Sequence, residues 1–196
     1  MPLVDPLPED HDPGLIDLIQ FFRGPLGTVP NSVLTMQRRP AIARAFTELN
    51  KAVMANHARV TAEQKRLIGY MASHTAGCHY CEAHTILAAE RFGATPERLA
   101  DIWSYATSQH FTPAERAAFD FAIAAASVPN AVTPTIGAAL RAHWSEDEIV
   151  EILGVIALFG FLNRWNDSMG TTLEPIGIAA GEKNLVAEGW DIGKHV

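Results

Sequence analysis

Thr61-Ala62-Glu63-Gln64-Lys65-Arg66-Leu67-Ile68-Gly69-Tyr70-Met71-Ala72-Ser73-His74-Thr75-Ala76-Gly77-Cys78-His79-Tyr80-Cys81-Glu82-Ala83-His84 reads as one helix, a glycine break and the start of a second helix. Thr61 followed by Gln64 carries the capping-box signature of a helix start. Leu67, Met71 and Thr75 keep the helical period rather than strand alternation. Gly77 supplies the backbone freedom to end one helix and open another directly before Cys78.

The same punctuation recurs along the chain. Asp12-Pro13, Thr95-Pro96, Thr112-Pro113 and Thr133-Pro134 each place a capping residue before a proline, where the missing N–H costs nothing. Thr112 with Glu115 and Ser145 with Glu148 add two more capping boxes. These signals predict helices over 13–22, 31–38, 40–57, 61–75, 78–92, 96–107, 113–127, 134–143 and 146–168. No Asn-Gly or Asp-Gly turn joins β-branched runs, so an all-α bundle of eight to nine helices is expected. The chain reads as a single domain over 1–196, with its core in 40–170 and a loose tail after Thr171. Gly154 and Gly160 interrupt the most apolar helix, which points to a close helix crossing within the chain or between subunits.

Composition narrows the function classes. At 196 residues and 48% hydrophobic, the chain holds enough apolar material for an ample core. A net charge of −7 disfavours nucleic acid as a partner. The apolar run from Ile152 to Leu162 is too short to span a membrane. The first eleven residues carry Asp5, Glu9 and Asp10 and lack a basic n-region, so no signal peptide is expected. Two cysteines this close cannot staple distant parts of a secreted fold, and a reducing cytoplasm fits them better.

All thiol chemistry available to one subunit lies at Cys78 and Cys81. Residues three apart on a helix share a face, and so does His84, one turn further on. The start of a helix favours a thiolate, so a dithiol–disulfide redox site is the leading reading. Two alternatives stand beside it: the cysteines are buried packing residues, or they bind zinc with His84 and His74. The second lacks a further Cys-x-x-Cys to close the coordination sphere, and no metal or organic cofactor is expected. His74, His79 and Tyr80 read as packing or surface residues, and Asn163-Arg164-Trp165-Asn166-Asp167 as a structural polar cluster.

The run from Arg66 through Thr85 resembles the core helices of the carboxymuconolactone decarboxylase and alkylhydroperoxidase D superfamily, particularly its peroxidase-related branch. Val29-Pro30-Asn31-Ser32-Val33-Leu34, Asn163-Arg164-Trp165-Asn166-Asp167 and Gly189-Trp190-Asp191-Ile192-Gly193-Lys194-His195 extend the likeness over most of the chain. The resemblance implies a helical, homo-oligomeric protein that reduces a small-molecule hydroperoxide. Cys81 would attack the peroxide, Cys78 would close the disulfide, and an external dithiol would restore the pair. The family's peroxidases place a glutamate base twelve residues before the first cysteine, where this chain has Arg66. Glu63, one turn earlier, is the candidate substitute, and Arg66 the candidate cation that favours the thiolate. The family's relay histidine falls four residues after the second cysteine, where this chain has Thr85, and His84 stands one residue short of it. A lactone decarboxylase-like enzyme and a non-catalytic redox sensor are the alternatives.

Overall fold

A computed structural model describes all 196 residues. It contains helices and connecting turns without strands: α1 (Ile16–Gln20), α2 (Arg23–Leu26), α3 (Asn31–Met36), α4 (Pro40–Met54), α5 (Ala62–Thr75), α6 (His79–Arg91), α7 (Pro96–Ala100), α8 (Pro113–Ala126), α9 (Pro134–His143), α10 (Glu146–Met169) and α11 (Pro175–Asn184), with 3-10 turns at Ile102–Ser104 and Val186–Glu188. The all-α expectation holds, with more and shorter segments than the eight to nine foreseen. None of these helices is long and apolar enough to cross a membrane.

Capping explains most starts. The Thr61, Thr95, Thr112, Thr133 and Ser145 hydroxyls each accept an N–H from the first turn of their helix, and Thr112 and Ser145 complete reciprocal boxes with Glu115 and Glu148. Asp12 departs from the pattern. Its carboxylate accepts the Gly14 N–H in a local turn, so the first helix begins only at Ile16.

The α5–α6 hairpin is the centre of the bundle. α5 also packs on α8 and α10, while α6 packs on α10 and α11. Gly77, at φ +71°, makes the break between α5 and α6, a backbone conformation that side chains with a Cβ resist. Close approach occurs at Gly69, where a Cβ would lie 2.4 Å from the Phe159 ring of α10. Gly69→Val is therefore expected to overpack this contact and cost roughly 1–3 kcal/mol. Urea denaturation, read as a fall in midpoint at constant slope, checks it.

Gly154 meets the Val53 side chain of α4 at 3.8 Å from a notional Cβ, an ordinary contact, and Gly160 meets only Arg164 of its own helix at 3.7 Å, so the close crossing is not made within the chain. One expectation is corrected here: the residues after Thr171 are not a loose tail. α11 packs on α6, the Trp190 ring covers Gly181, and Trp190 donates its indole N–H to the His79 carbonyl at 3.0 Å. His195 is buried. The segment carries Leu173, Ala180 and Leu185 into the core, so its apolar burial holds it down.

Candidate active site

Cys78 is the N-cap of α6 and Cys81 lies in its first turn. Both are free thiols and both are buried, at 0% and 2% exposure. Only Cys81 faces the cavity formed between α6, α10 and the segment from Phe22 to Ser32. That cavity is narrow, with a volume of about 70 Å³, and it opens to solvent. Its walls are largely apolar, with Phe22, Phe46, Phe159 and Leu162 among them, and the polar groups Arg66, His84 and Asn166 reach the same space. Cys78 lies behind Cys81, next to the exposed Ala76–Gly77 turn.

Asn166, from the end of α10, donates its amide N–H to the Cys81 sulfur at 3.4 Å, while its own carbonyl oxygen is buried without a partner. Burial pushes the Cys81 thiol well up, the interaction with Cys78 adds to the rise, and the Asn166 hydrogen bond opposes it. In the resting state the sulfur is therefore protonated, and attack requires a base. Desolvation thus dominates at Cys81, and Arg66, expected as a cation favouring the thiolate, is not among the groups that move it.

His84 reaches the cavity and its Nε2 lies 2.7 Å from Oε2 of Glu174, at the start of α11. The other carboxylate oxygen accepts the Tyr80 hydroxyl at 2.9 Å and the Asn31 backbone N–H. Burial alone would raise the Glu174 carboxyl; the His84 charge and hydrogen bond, with the Asn31 N–H, outweigh it and hold the group below its usual value. Such a depressed carboxylate stabilises the fold above its unfolded pKa, and that contribution is lost as pH falls through the folded value. Glu174→Gln is thus expected to lower the Tm of the protein at pH 7, with the gap from wild type closing below about pH 4. Thermal melts across pH 7 to 3 measure this; a gap independent of pH would show the ionised carboxylate contributes nothing.

The predicted site residues divide in two. Cys78, Cys81 and His84 come together, and Arg66 lines the same cavity. Glu63 does not join them: it pairs with Arg98 at 2.7 Å, which also holds Glu115 at 2.6 Å, on the side of α5 facing α7 and α8. The Thr85 hydroxyl bonds back to the Cys81 and Glu82 carbonyls. Three residues read as structural or packing, or given no role, border this arrangement. Tyr80, buried in the core, donates its hydroxyl to Glu174, Glu174 pairs with His84, and Asn166 touches the Cys81 sulfur. Glu174 carried no local signal, since it lies 93 residues from Cys81 in a segment read as tail; Asn166 lay in a polar cluster on an apolar helix, which was its one visible hint. His74, by contrast, sits outside the cavity, its ring 4.1 Å from that of Trp103 and its Nδ1 3.6 Å from buried Glu82. His, Cys, Asp and Glu side chains nowhere converge in a group of three or more that could hold a metal ion.

The sequence pattern of the carboxymuconolactone decarboxylase family matches residues 40–124. The debrominase Bmp8 is 32% identical over 92% of this chain and 96% of its own, with a TM-score of 0.86 in a cysteine-to-alanine variant bound to 2,3,4-tribromopyrrole. An uncharacterized peroxidase-related protein with the alkylhydroperoxidase AhpD core, from Ralstonia eutropha JMP134, is 25% identical over 87% of this chain and 88% of its own, with a TM-score of 0.73. A peroxidase-related protein from Silicibacter sp. TM1040, at 20% identity over 89% and 90% of the two chains and a TM-score of 0.73, shares the fold. Among curated proteins none matches this chain. Family pattern, full-length likeness and a Cys-x-x-Cys helix at the centre of the bundle agree, and the chain belongs to the carboxymuconolactone decarboxylase family with an alkylhydroperoxidase D-like fold.

Proposed function

We propose that the protein is a thiol-dependent oxidoreductase that reduces a small organic hydroperoxide through a Cys78–Cys81 dithiol–disulfide cycle. The observation that carries this reading is the placement of the two sulfurs: Cys81 opens on an apolar cavity and Cys78 stands behind it, where a resolving thiol belongs. In its neutral form His84, held by Glu174, takes the thiol proton and becomes the imidazolium that the Glu174 carboxylate stabilises. The Cys81 thiolate attacks the terminal peroxide oxygen, the O–O bond breaks, and the returned proton converts the leaving alkoxide to an alcohol. Cys78 then displaces hydroxide from the Cys81 sulfenic acid; with the Cys78 proton it leaves as water, and the disulfide forms. An external dithiol reduces the disulfide by exchange. Exposed apolar side chains on α4 and α10, Ile42, Leu49, Leu153 and Phe161, form the faces a second subunit would cover in a homo-oligomer.

A second reading, a carbon-bound halogen as the atom transferred to Cys81, is favoured by the aromatic cavity wall and by the likeness to Bmp8. Sulfur takes the halogen, a proton replaces it on the ring, and Cys78 expels halide as the disulfide closes. Reduced protein supplied with dithiothreitol and either cumene hydroperoxide or 2,3,4-tribromopyrrole separates the two. Many equivalents of peroxide consumed support the first reading, and bromide release without peroxide turnover supports the second. Oxidation that stops after one equivalent identifies a sensor, and thiols that survive both reagents overturn the thiol-redox proposal.

A further inference from the structure

Arg66 is 6% exposed and has no carboxylate partner, in a chain with 22 acidic residues against 15 basic ones. Its Nη1 donates to the Ala62 carbonyl at 2.9 Å, and its guanidinium lies 4.0 Å from the centroid of the Phe92 ring. Burial lowers its pKa to about 10, which leaves it cationic at neutral pH. The Nε and Nη2 edge makes no hydrogen bond to the protein, and that edge is the planar fork that matches a carboxylate. Nε and Nη2 are not among the buried unpaired atoms, so both stay open to the solvent-connected cavity. No carboxylate of the protein answers the charge, and the side chain borders the cavity that holds Cys81.

The hairpin geometry places this cation away from the thiol. α5 and α6 run antiparallel from Gly77, so Arg66 stands level with Ala88, and both line the cavity. Ala88 is seven residues beyond Cys81, about 10 Å along the helix axis. Phe22, Phe46, Met54, Phe159 and Leu162 line the same space. Half-buried Pro25, Asn50 and Met54 mark where the cavity meets the surface.

We infer that Arg66 is a carboxylate-binding subsite, and that the substrate is a small amphipathic organic acid whose charged group sits on Arg66 while its apolar body leads the reactive atom to Cys81. The subsite stands on Arg66 and the cavity; the identity of the reacting end rests on the redox reading above. The same position, which the family's peroxidases give to a glutamate, here selects substrate rather than moving a proton.

Binding to the reduced, full-length protein tests this without turnover. Isothermal calorimetry with 4-phenylbutyrate and its neutral isostere 4-phenylbutanamide is expected to show the acid at least tenfold tighter. Arg66→Met is expected to erase that preference and leave amide affinity intact, and Arg66→Lys to keep part of it. Equal affinity of acid and amide for the wild type, no binding of either, or a preference that survives in folded Arg66→Met overturns the inference. Should Arg66→Met not fold, the wild-type ratio and its reduction in Arg66→Lys decide. Acid preference together with inert thiols leaves the subsite standing and removes the redox reading; peroxide turnover without acid preference does the reverse.

Discussion

Cys81→Ser is expected to abolish multiple turnover of peroxide, with a loss of at least about a thousandfold, because no other thiol borders the cavity. Cys78→Ser is expected to behave differently. It still reacts once, since Cys81 retains its Asn166 contact and its histidine, but the sulfenic acid has no resolving partner and accumulates. Dimedone labelling followed by mass spectrometry reads this directly, with an adduct on Cys81 in Cys78→Ser and none in Cys81→Ser. Dipole reasoning alone favours Cys78, the residue nearer the helix start. An adduct appearing only in Cys81→Ser would reverse the roles.

His84→Gln should slow the first oxidation by roughly 10²- to 10⁴-fold, the range for loss of a positioned general base. The physical ground is that burial holds the Cys81 thiol protonated, so removing the group that takes its proton leaves the nucleophile unformed. Glu174→Gln keeps the imidazole but removes the ion partner at 2.7 Å, and should cost less, on the order of tenfold. Single-turnover thiol loss, followed across pH 5 to 10, separates a proton-transfer role from a packing role. A base variant regains rate as hydroxide replaces the missing group at high pH, whereas a packing defect does not. Equal rates for wild type and His84→Gln would remove His84 from the mechanism.

Much of this was written locally. Thr112 with Glu115 and Ser145 with Glu148 set helix starts within one turn of chain, and the structure realises both. The region 96–107 was harder. Pro96 and Thr95 mark its beginning, but the helix ends at Ala100 and a 3-10 turn follows, because Asp101 and Ser108 bond to each other and draw the chain into a compact loop. The tail misled for a similar reason. Its partners, such as the His79 carbonyl that holds Trp190, are remote in sequence.

The Cys-x-x-Cys spacing and the glycine before it determined that two thiols stand in the first turn of a central helix, since helical periodicity and capping act over a few residues. Tertiary structure decided which sulfur meets the cavity, that Glu63 is engaged by Arg98, and that the partner of His84 is Glu174. It also decided that Arg66 is a buried cation without a counter-ion. Desolvation and pairing depend on what packs around a side chain, and those neighbours come from elsewhere in the chain: Arg98 of α7 for Glu63, Asn166 of α10 for Cys81 and Glu174 at the start of α11 for His84.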